Sequence, residues 1–455
     1  MASFRCLLPQ DDRNAGDPRI VIDQSEREAS FVPELTFIHA ADVHLGRPFS
    51  GLDRSNPELA ALFRKSSAEA WNRMVGVAVQ RRVDFVVLAG DVFDGAHPSV
   101  RARVVFREGI EQLYHAGIPV FLALGNHDPL EKFPDALRKL PGLHLFAADP
   151  GPSRVERRDF TDGVRIYGAS FERSVVKENL AAQFNRDPGV GVAVGVLHAH
   201  VSGLEGHEPY APCTLDDLRG SGMDIWCLGH VHSRRILCED PLILYSGTLQ
   251  GAHIREGGPK GCSLVTVAGR HEATAEFFSV APVRWESFDL PVREVDTVDD
   301  VIRSAEELCA MDGPEMSLHA TVARFTVVGA SEHLAQSLTS DPEAVELLAE
   351  RLSQLPVPAF LESVTVATDI SPALEALKRD EGLVGELLRE CEDAGNDPLR
   401  LDELSQIVLK ELRRHVSISY LPDHYRVNGS HRDVWRNLLR EAGAVTGQMF
   451  LDWEP

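Results

Sequence analysis

Residues 83–94 read VDFVVLAGDVFD, an apolar run from Phe85 to Ala89 halted by Gly90 and Asp91. A run this short, rich in valine and closed by a turn residue, predicts a strand buried on both faces. The acid directly after it stands where open α/β sheets bind their ligands, outside the carboxyl end of a strand. Upstream, LTFIHAA (35–41) is a second such run, and PELAALFRKSSAEAWNRMVGVAVQRR (57–82) has helical spacing. Downstream, VRARVVFREGIEQLYHAG (100–117) is helical and IPVFLALGNHD (118–128) is a third strand. Strand, helix, strand, helix, strand is the signature of parallel βαβ units. Further strands are predicted at 163–170, 190–200, 223–229, 234–238, 242–247 and 262–269, where helices become scarce. The pattern predicts an α/β fold with a pair of mixed sheets and helices outside.

Organisation follows from changes in texture. Residues 1–33 are polar and broken by Gly, Pro and Asp, predicting a poorly ordered extension. The strand-rich domain takes 34–285. A small α+β unit is expected at 286–370, with a helix at TVDDVIRSAEELC (297–309) and strands at 319–330 and 360–368. Residues 371–455 are expected to be helical, with apolar stripes through Leu374, Leu377, Leu383, Val384, Leu387 and Leu388, then Leu404, Ile407, Val408 and Leu412. Packing against the protein's own body is the plainer reading of these stripes, and docking to a partner the sharper one.

The chain of 455 residues is 44% hydrophobic and 25% charged, within the range of proteins with a full core. No apolar run approaches the ~18–20 residues that span a bilayer, so no membrane is expected. The opening MASFRCLLPQDDRN has no signal-peptide stretch, and seven scattered cysteines without a CxxC pair fit a reducing cytoplasm. A net charge of −23 argues against a nucleic-acid partner unless positive potential arises locally.

What stands after each strand supplies that potential. The runs end in Asp42-Val-His44, Gly90-Asp91, Gly125-Asn126-His127-Asp128, His198-Ala-His200 and Gly229-His230-Val-His232. Residues i and i+2 of an extended backbone point the same way, so Asp42 and His44 can converge, as can His230 and His232. Glycine before a donor permits positive φ and close approach of backbone to an ion. Carboxylate, carboxamide and imidazole without thiolate suit Mn²⁺, Fe or Zn²⁺. Asp42, His44, Asp91, Asn126, His198, His230 and His232 are too many for one ion, and two ions sharing Asp91 would sit roughly 3.5–4 Å apart. Two divalent cations against two carboxylates leave about +2, a positive hole in an acidic protein. His200 shares a face with His198, which comes first off the strand and is preferred. His39 reads as a core or supporting group, and His97, His207 and His253 as loop residues.

These motifs, in this order, resemble the calcineurin-like metallophosphoesterases. GDVFD and GNHD resemble the SbcD-type DNA nucleases, and the stretch Tyr210–Gly261, with WCLGHVHSRRIL and YSGTLQGAHIREGGPKGC, is similar to the YhaO-like branch of DNA repair exonucleases. The resemblance covers about residues 35–285. It implies a four-layer sandwich of two sheets flanked by helices, with a capping unit and C-terminal helices. It implies Asp42, His44, Asp91 and His232 around one metal and Asp91, Asn126, His198 and His230 around the other, two Mn²⁺ ions as cofactors, and His127 as the catalytic histidine. Asp94 stands where some relatives carry histidine, and it is expected to support the ligands, as is His200. The implied activity is Mn²⁺-dependent hydrolysis of DNA phosphodiesters, an exonuclease in repair or end processing. The implied partners are DNA, an SbcC-like coiled-coil ATPase docking on the C-terminal helices, and a second copy of the chain.

Arg47, just beyond the first donor pair, is a candidate for holding a phosphate, and Phe49 for stacking on a base. Two alternatives stand beside the nuclease. One is a phosphoesterase acting on small molecules or phosphoproteins, for which an acidic surface is natural. The other is a non-catalytic metal-bound subunit of an ATPase complex.

Overall fold

A computed structural model describes residues 34–47, 57–95, 97–155, 163–202, 210–269, 272–293, 296–311, 318–367 and 382–397, with scattered positions between 378 and 443. The expectations for residues 1–33, Phe49, His207, Leu374, Leu377 and Leu412 fall outside the described residues.

The opening stretch forms a central strand. In chain order the first four strands are β1 (Leu35–Ala40), β2 (Phe85–Ala89), β3 (Val120–Ala123) and β4 (Leu143–Leu145). Then come β5 (Gly151–Val155), β6 (Val164–Ala169), β7 (Val192–His198), β8 (Ile225–Gly229), β9 (Arg235–Glu239) and β10 (Leu242–Tyr245). The hairpin β11 (Gly261–Gly269) and β12 (Glu272–Ser279) returns to β1. One sheet has the order β12-β11-β1-β2-β3-β4 and the other β5-β6-β7-β8-β10-β9. β1, β2 and β3 pair in parallel, so their carboxyl ends open on one edge. β7 and β8 are likewise parallel in the second sheet.

Period-2 alternation gives each sheet two buried faces. Phe85, Val87 and Ala89 join Leu35, Phe37 and Phe121 against Val194, Val196 and Ile225 of the second sheet. Val86 and Leu88 point the other way, under two helices. Those are α1 (Pro57–Arg81), which buries Trp71, Met74, Val75 and Ala78 at helical spacing, and α2 (Val100–His115), which buries Phe106, Ile110 and Leu113. Ser99 caps α2 by accepting the Ala102 N–H at 3.1 Å. The outer face of the second sheet is covered around Trp226 and Tyr245 by Phe184 and Leu218. The result is the four-layer α/β sandwich that the motifs imply.

A third sheet follows, built from β13 (Val283–Pro291), β14 (Ala320–Val328) and β15 (Ala359–Ala367). All its pairings are parallel, so the unit is built from βαβ crossovers, and the position expected to divide domains, 285/286, falls inside β13. Trp285 ties this sheet to the main body: its ring stacks on Phe63 at 5.6 Å and its Nε1–H donates to the Gly251 carbonyl at 3.0 Å. Among the described residues no helix is long and apolar enough to cross a membrane. Of the C-terminal stripes, Ile407 and Val408 are exposed, so these two do not pack on the body as the plainer reading had it.

The two sheets approach closely where β2 ends. A methyl group on Gly229 would lie 1.8 Å from the Ala89 carbonyl oxygen, well inside contact distance. Gly229→Ala is therefore expected to lower the thermal midpoint by several degrees. Gly76→Ala, in α1 with nothing within 4 Å of the added methyl, should raise stability by about 0.5–1 kcal/mol. Paired melting curves check this, and an unchanged midpoint for Gly229→Ala would contradict the close approach.

Candidate metal centre

The five strand ends converge as expected, but not by the backbone geometry expected. Asp42, His44, Asp91 and His230 have positive φ of 49°, 46°, 51° and 99°. They are four of the six non-glycine residues in that region among the described residues. Extended i, i+2 alternation therefore does not aim Asp42 and His44; a left-handed bend after β1 does. Such conformations cost of order 1–3 kcal/mol each and persist only where surrounding contacts fix them. The contacts are present: Asp42 N–H donates to Gly90 O at 3.1 Å, His44 N–H to Asp91 O at 3.0 Å and Leu45 N–H to Val92 O at 2.8 Å. The loop after β1 is thus laced to the loop after β2.

The glycines also divide in their roles. Gly90 has φ +91°, but Gly125 and Gly229 are not left-handed. They are glycine for want of space: a methyl on Gly125 would meet Asp91 Oδ1 at 2.2 Å. Asp128 joins the same loops from below. Its Oδ2 accepts Val92 N–H at 2.7 Å and Phe93 N–H at 3.2 Å, while Oδ1 accepts Gly125 N–H at 3.0 Å.

On this frame the donors gather. Three groups of potential ligands have atoms within 4.8 Å of one another: Asp42, His44 and His232; Asp42, Asp91 and His198; His44, Asp91 and His127. His198 Nδ1–H donates to the Ala89 carbonyl at 2.9 Å, which turns the Nε2 lone pair toward Asn126 Oδ1 at 3.0 Å and Asp91 Oδ2 at 3.4 Å. His232 Nδ1 contacts Glu256 Oε1 at 2.6 Å, leaving its Nε2 3.1 Å from His44 Nε2. Lone pairs facing each other at such distances repel unless a proton or a cation lies between. His230 is absent from those groups; its N–H donates to Asp42 Oδ2 at 3.0 Å and its ring stands edge-on to His198 at 5.3 Å between centroids. His200 packs beyond His230, at 5.9 Å, and is likewise in none of those groups.

Electrostatics make the same point. Burial raises Asp42 and Asp91 above the ordinary carboxylate range. Burial likewise holds His44 well below its usual value and His198 down to about 3, so neither imidazole carries a proton near neutrality. His232 goes the other way: burial opposes its charge, yet the bond to Glu256 and the nearby Asp42 raise its pKa. Carboxylates reluctant to ionise beside the neutral imidazoles of His44 and His198 form a site that divalent cations would satisfy.

Support for the donors comes from residues with little signature in the sequence. Glu256, 6% exposed, receives His232, accepts the Ala252 N–H at 2.7 Å and pairs with Arg47 at 3.1 Å. Burial opposes its charge, yet the bond to His232 and the nearby Arg47 lower its pKa. This is the arrangement in which a carboxylate fixes the tautomer of a ligating histidine. Asp94 sits 3.3 Å from His44 Nδ1, and its carbonyl contacts His127 Nδ1 at 3.0 Å. Arg47 faces Glu256 and, at 3.7 Å, Asp94, so a phosphate would have to compete for it. His39 is fully buried within β1, His97 is exposed, and His253 is half-buried with Nε2 3.3 Å from Glu256.

Two outcomes follow. Protons on Asp42 and Asp91 persist above the ordinary carboxylate range and must leave before a cation binds, whereas His44 and His198 have none to lose. The Mn²⁺-induced rise in thermal midpoint should therefore grow from pH 5.5 to pH 8; an equal rise at both would show that no proton competes. Glu256→Ala should weaken Mn²⁺ binding by about 10–100-fold in calorimetric titration, and undiminished affinity would remove it from that role.

Comparison with known proteins agrees with this geometry. The family profile described as calcineurin-like phosphoesterase matches residues 35–234. The chain is 37% identical over 278 residues to YhaO, an uncharacterized metallophosphoesterase of Bacillus subtilis, covering 60% of this chain and 67% of that protein. It is 27% identical over 249 residues to the DNA double-strand break repair protein Mre11 of Sulfurisphaera tokodaii, covering 51% of this chain and 59% of that one. For Mre11 of Methanopyrus kandleri the figures are 28% over 211 residues, 43% and 44%. The chain thus spans about half the length of these Mre11 relatives. On the match to this profile and to YhaO, the chain belongs to the calcineurin-like phosphoesterase family.

Proposed function

We propose that this phosphoesterase is a Mn²⁺-dependent DNA nuclease, acting as an exonuclease in repair or end processing. The observation that carries the reading is the gathering of Asp42, His44, Asp91, Asn126, His198 and His232 round one crevice, with His127 on its rim. Likeness to proteins named as Mre11 supports DNA as the substrate over small phosphoesters.

Asp42, His44, Asp91 and His232 would hold one cation; Asp91, Asn126, His198 and His230 the other. When bound, such ions polarise phosphoryl oxygens and make water acidic enough to serve as nucleophile near neutral pH. The chain's own part is orientation and proton supply. The His127 N–H donates to Asp91 Oδ1 at 3.0 Å, pinning the loop after β3 to the shared carboxylate. The His127 side chain is 41% exposed, its Nδ1 is held by the Asp94 carbonyl, and Nε2 stands 4.0 Å from Asp91 Oδ2. Nε2 is therefore the atom free to meet a leaving oxygen, and the protonated imidazole donates from there. Asp94 places it: its carbonyl holds His127 Nδ1, and its carboxylate lies 3.3 Å from His44 Nδ1.

An SbcC-like coiled-coil ATPase docking on the C-terminal helices, pairing with a second copy and a cytoplasmic setting belong to the same reading. The exposed Ile407 and Val408 support the docking face.

End-labelled DNA incubated in Mn²⁺ should be degraded, and in EDTA left intact. His127→Ala should slow turnover by about 10²–10⁴-fold with Mn²⁺ binding unchanged. Hydrolysis of p-nitrophenyl phosphate with DNA left whole would favour the small-phosphoester alternative, and full turnover by His127→Ala would remove the acid.

A further inference from the structure

Beside the metal centre lies a cleft of about 260 Å³ between α1, the start of α2 and the turn at Leu45–Gly46. Arg64, Lys65 and Arg101 line it, and among the described residues no acidic one does. All three are exposed, and no carboxylate among the described residues pairs with any of them. In a chain of net charge −23, three cations with no described acidic partner round one hollow are a local reversal of sign.

Neutral groups there are donors as well. Ser67, 5% exposed, accepts the Gly46 N–H at 3.3 Å, and its own hydroxyl proton has no acceptor among the described residues. Ser99 caps α2, a helix of 16 residues with no acid in its first turn. The N–H groups of Val100 and Arg101 have no preceding turn to accept them, and the helix dipole adds positive potential. The hollow is smaller than the ~300–1,000 Å³ of sites for whole small molecules, which suits one phosphate with part of its sugar.

Its position says which phosphate. Gly46 follows the candidate ligand His44 by two residues, a reach of at most ~7 Å. That span is one to two nucleotides of a strand, whose rise along the helix axis is ~3.4 Å each. We propose that this cleft is a phosphate-binding subsite that holds a backbone phosphate of the bound DNA, one or two nucleotides from the bond at the metal centre. The assignment rests on the nuclease reading for its ligand and on the cleft for its chemistry.

The test measures binding apart from cleavage. A fluorescein-labelled DNA duplex is titrated with the full chain in EDTA at several salt concentrations, for wild type and for Arg64→Gln/Lys65→Gln/Arg101→Gln. These side chains are exposed, so the variant should keep its thermal midpoint and Mn²⁺ affinity. Affinity should fall at least ~10-fold, as expected for lost charged hydrogen bonds, and the slope of log K against log salt should flatten by about 0.9 per lost phosphate contact. Arg64→Lys/Arg101→Lys, which keeps the charges, should retain the wild-type slope. Hydrolysis of bis-p-nitrophenyl phosphate in Mn²⁺, a diester too short to reach the cleft, should match wild type. Equal affinity and slope in the Gln variant would overturn the subsite, as would loss of small-diester hydrolysis. A wild type that binds DNA through these residues yet never cuts it would sink the nuclease reading and leave the subsite standing.

Discussion

The carbonyl oxygen of Ala89 joins the two sheets at the edge where the chemistry lies. It accepts His198 Nδ1–H at 2.9 Å and has Gly229 packed against it, so the ends of β2, β7 and β8 meet at one atom. Everything in the crevice depends on that closeness. Any side chain at Gly229 would separate the sheets, and the same step would carry His198 away from Asp91. The fold pays for the approach with glycines and left-handed turns, and recovers stability in the apolar layer behind them, where Phe37, Phe85 and Phe121 pack against the second sheet.

The donors themselves work against folding. Two carboxylates and several imidazoles are buried where water cannot solvate them, and the Nε2 atoms of His44 and His232 meet at 3.1 Å. Groups of this kind are tolerated when a cation or a complete hydrogen-bond network satisfies them. Asp128, Glu256 and Thr248 supply the network, the last by donating its hydroxyl to the Asp42 carbonyl at 2.6 Å. They hold backbone and outer ring nitrogens and leave the inner donor atoms unquenched. That division keeps the centre rigid and still ready for ions, with its free energy of ligand binding spent on bonding and little on rearrangement.

The strands and the donors were legible because their signals are local: an apolar run, then a polar residue at its carboxyl end. Residues 83–94 contain both. The aim of Asp42 and His44 was legible only in outcome, since alternation and a left-handed bend both bring them together, and the sequence does not separate the two. Glu256 carried no signal, because a lone acid in HIREGG looks like any surface charge until the fold sets it against His232. β4 is three residues long, and β12, though it alternates, has alanine at its first two apolar positions, so pairing with β11 decides it. The first strand of the third sheet was hidden likewise: VRWESFDLP straddles the expected 285/286 boundary, and only β14 beside it makes it a strand.

Charge is the remaining tension, and its resolution is spatial. Phosphate attraction falls away within a Debye length, about 8–10 Å at moderate salt. A distant acidic surface therefore slows the approach of DNA more than it weakens a phosphate once seated. On the proposed reading, a seated strand would meet the crevice and its rim, where two bound cations would add to the positive potential of the start of α2 and the side chains of Arg64, Lys65 and Arg101. Added salt then acts in opposite senses, easing the encounter with an acidic body while loosening the local contacts. An acidic total and a phosphate-binding centre are compatible for that reason: the first is a property of the surface averaged over its area, the second of a few ångströms at the carboxyl ends of five strands.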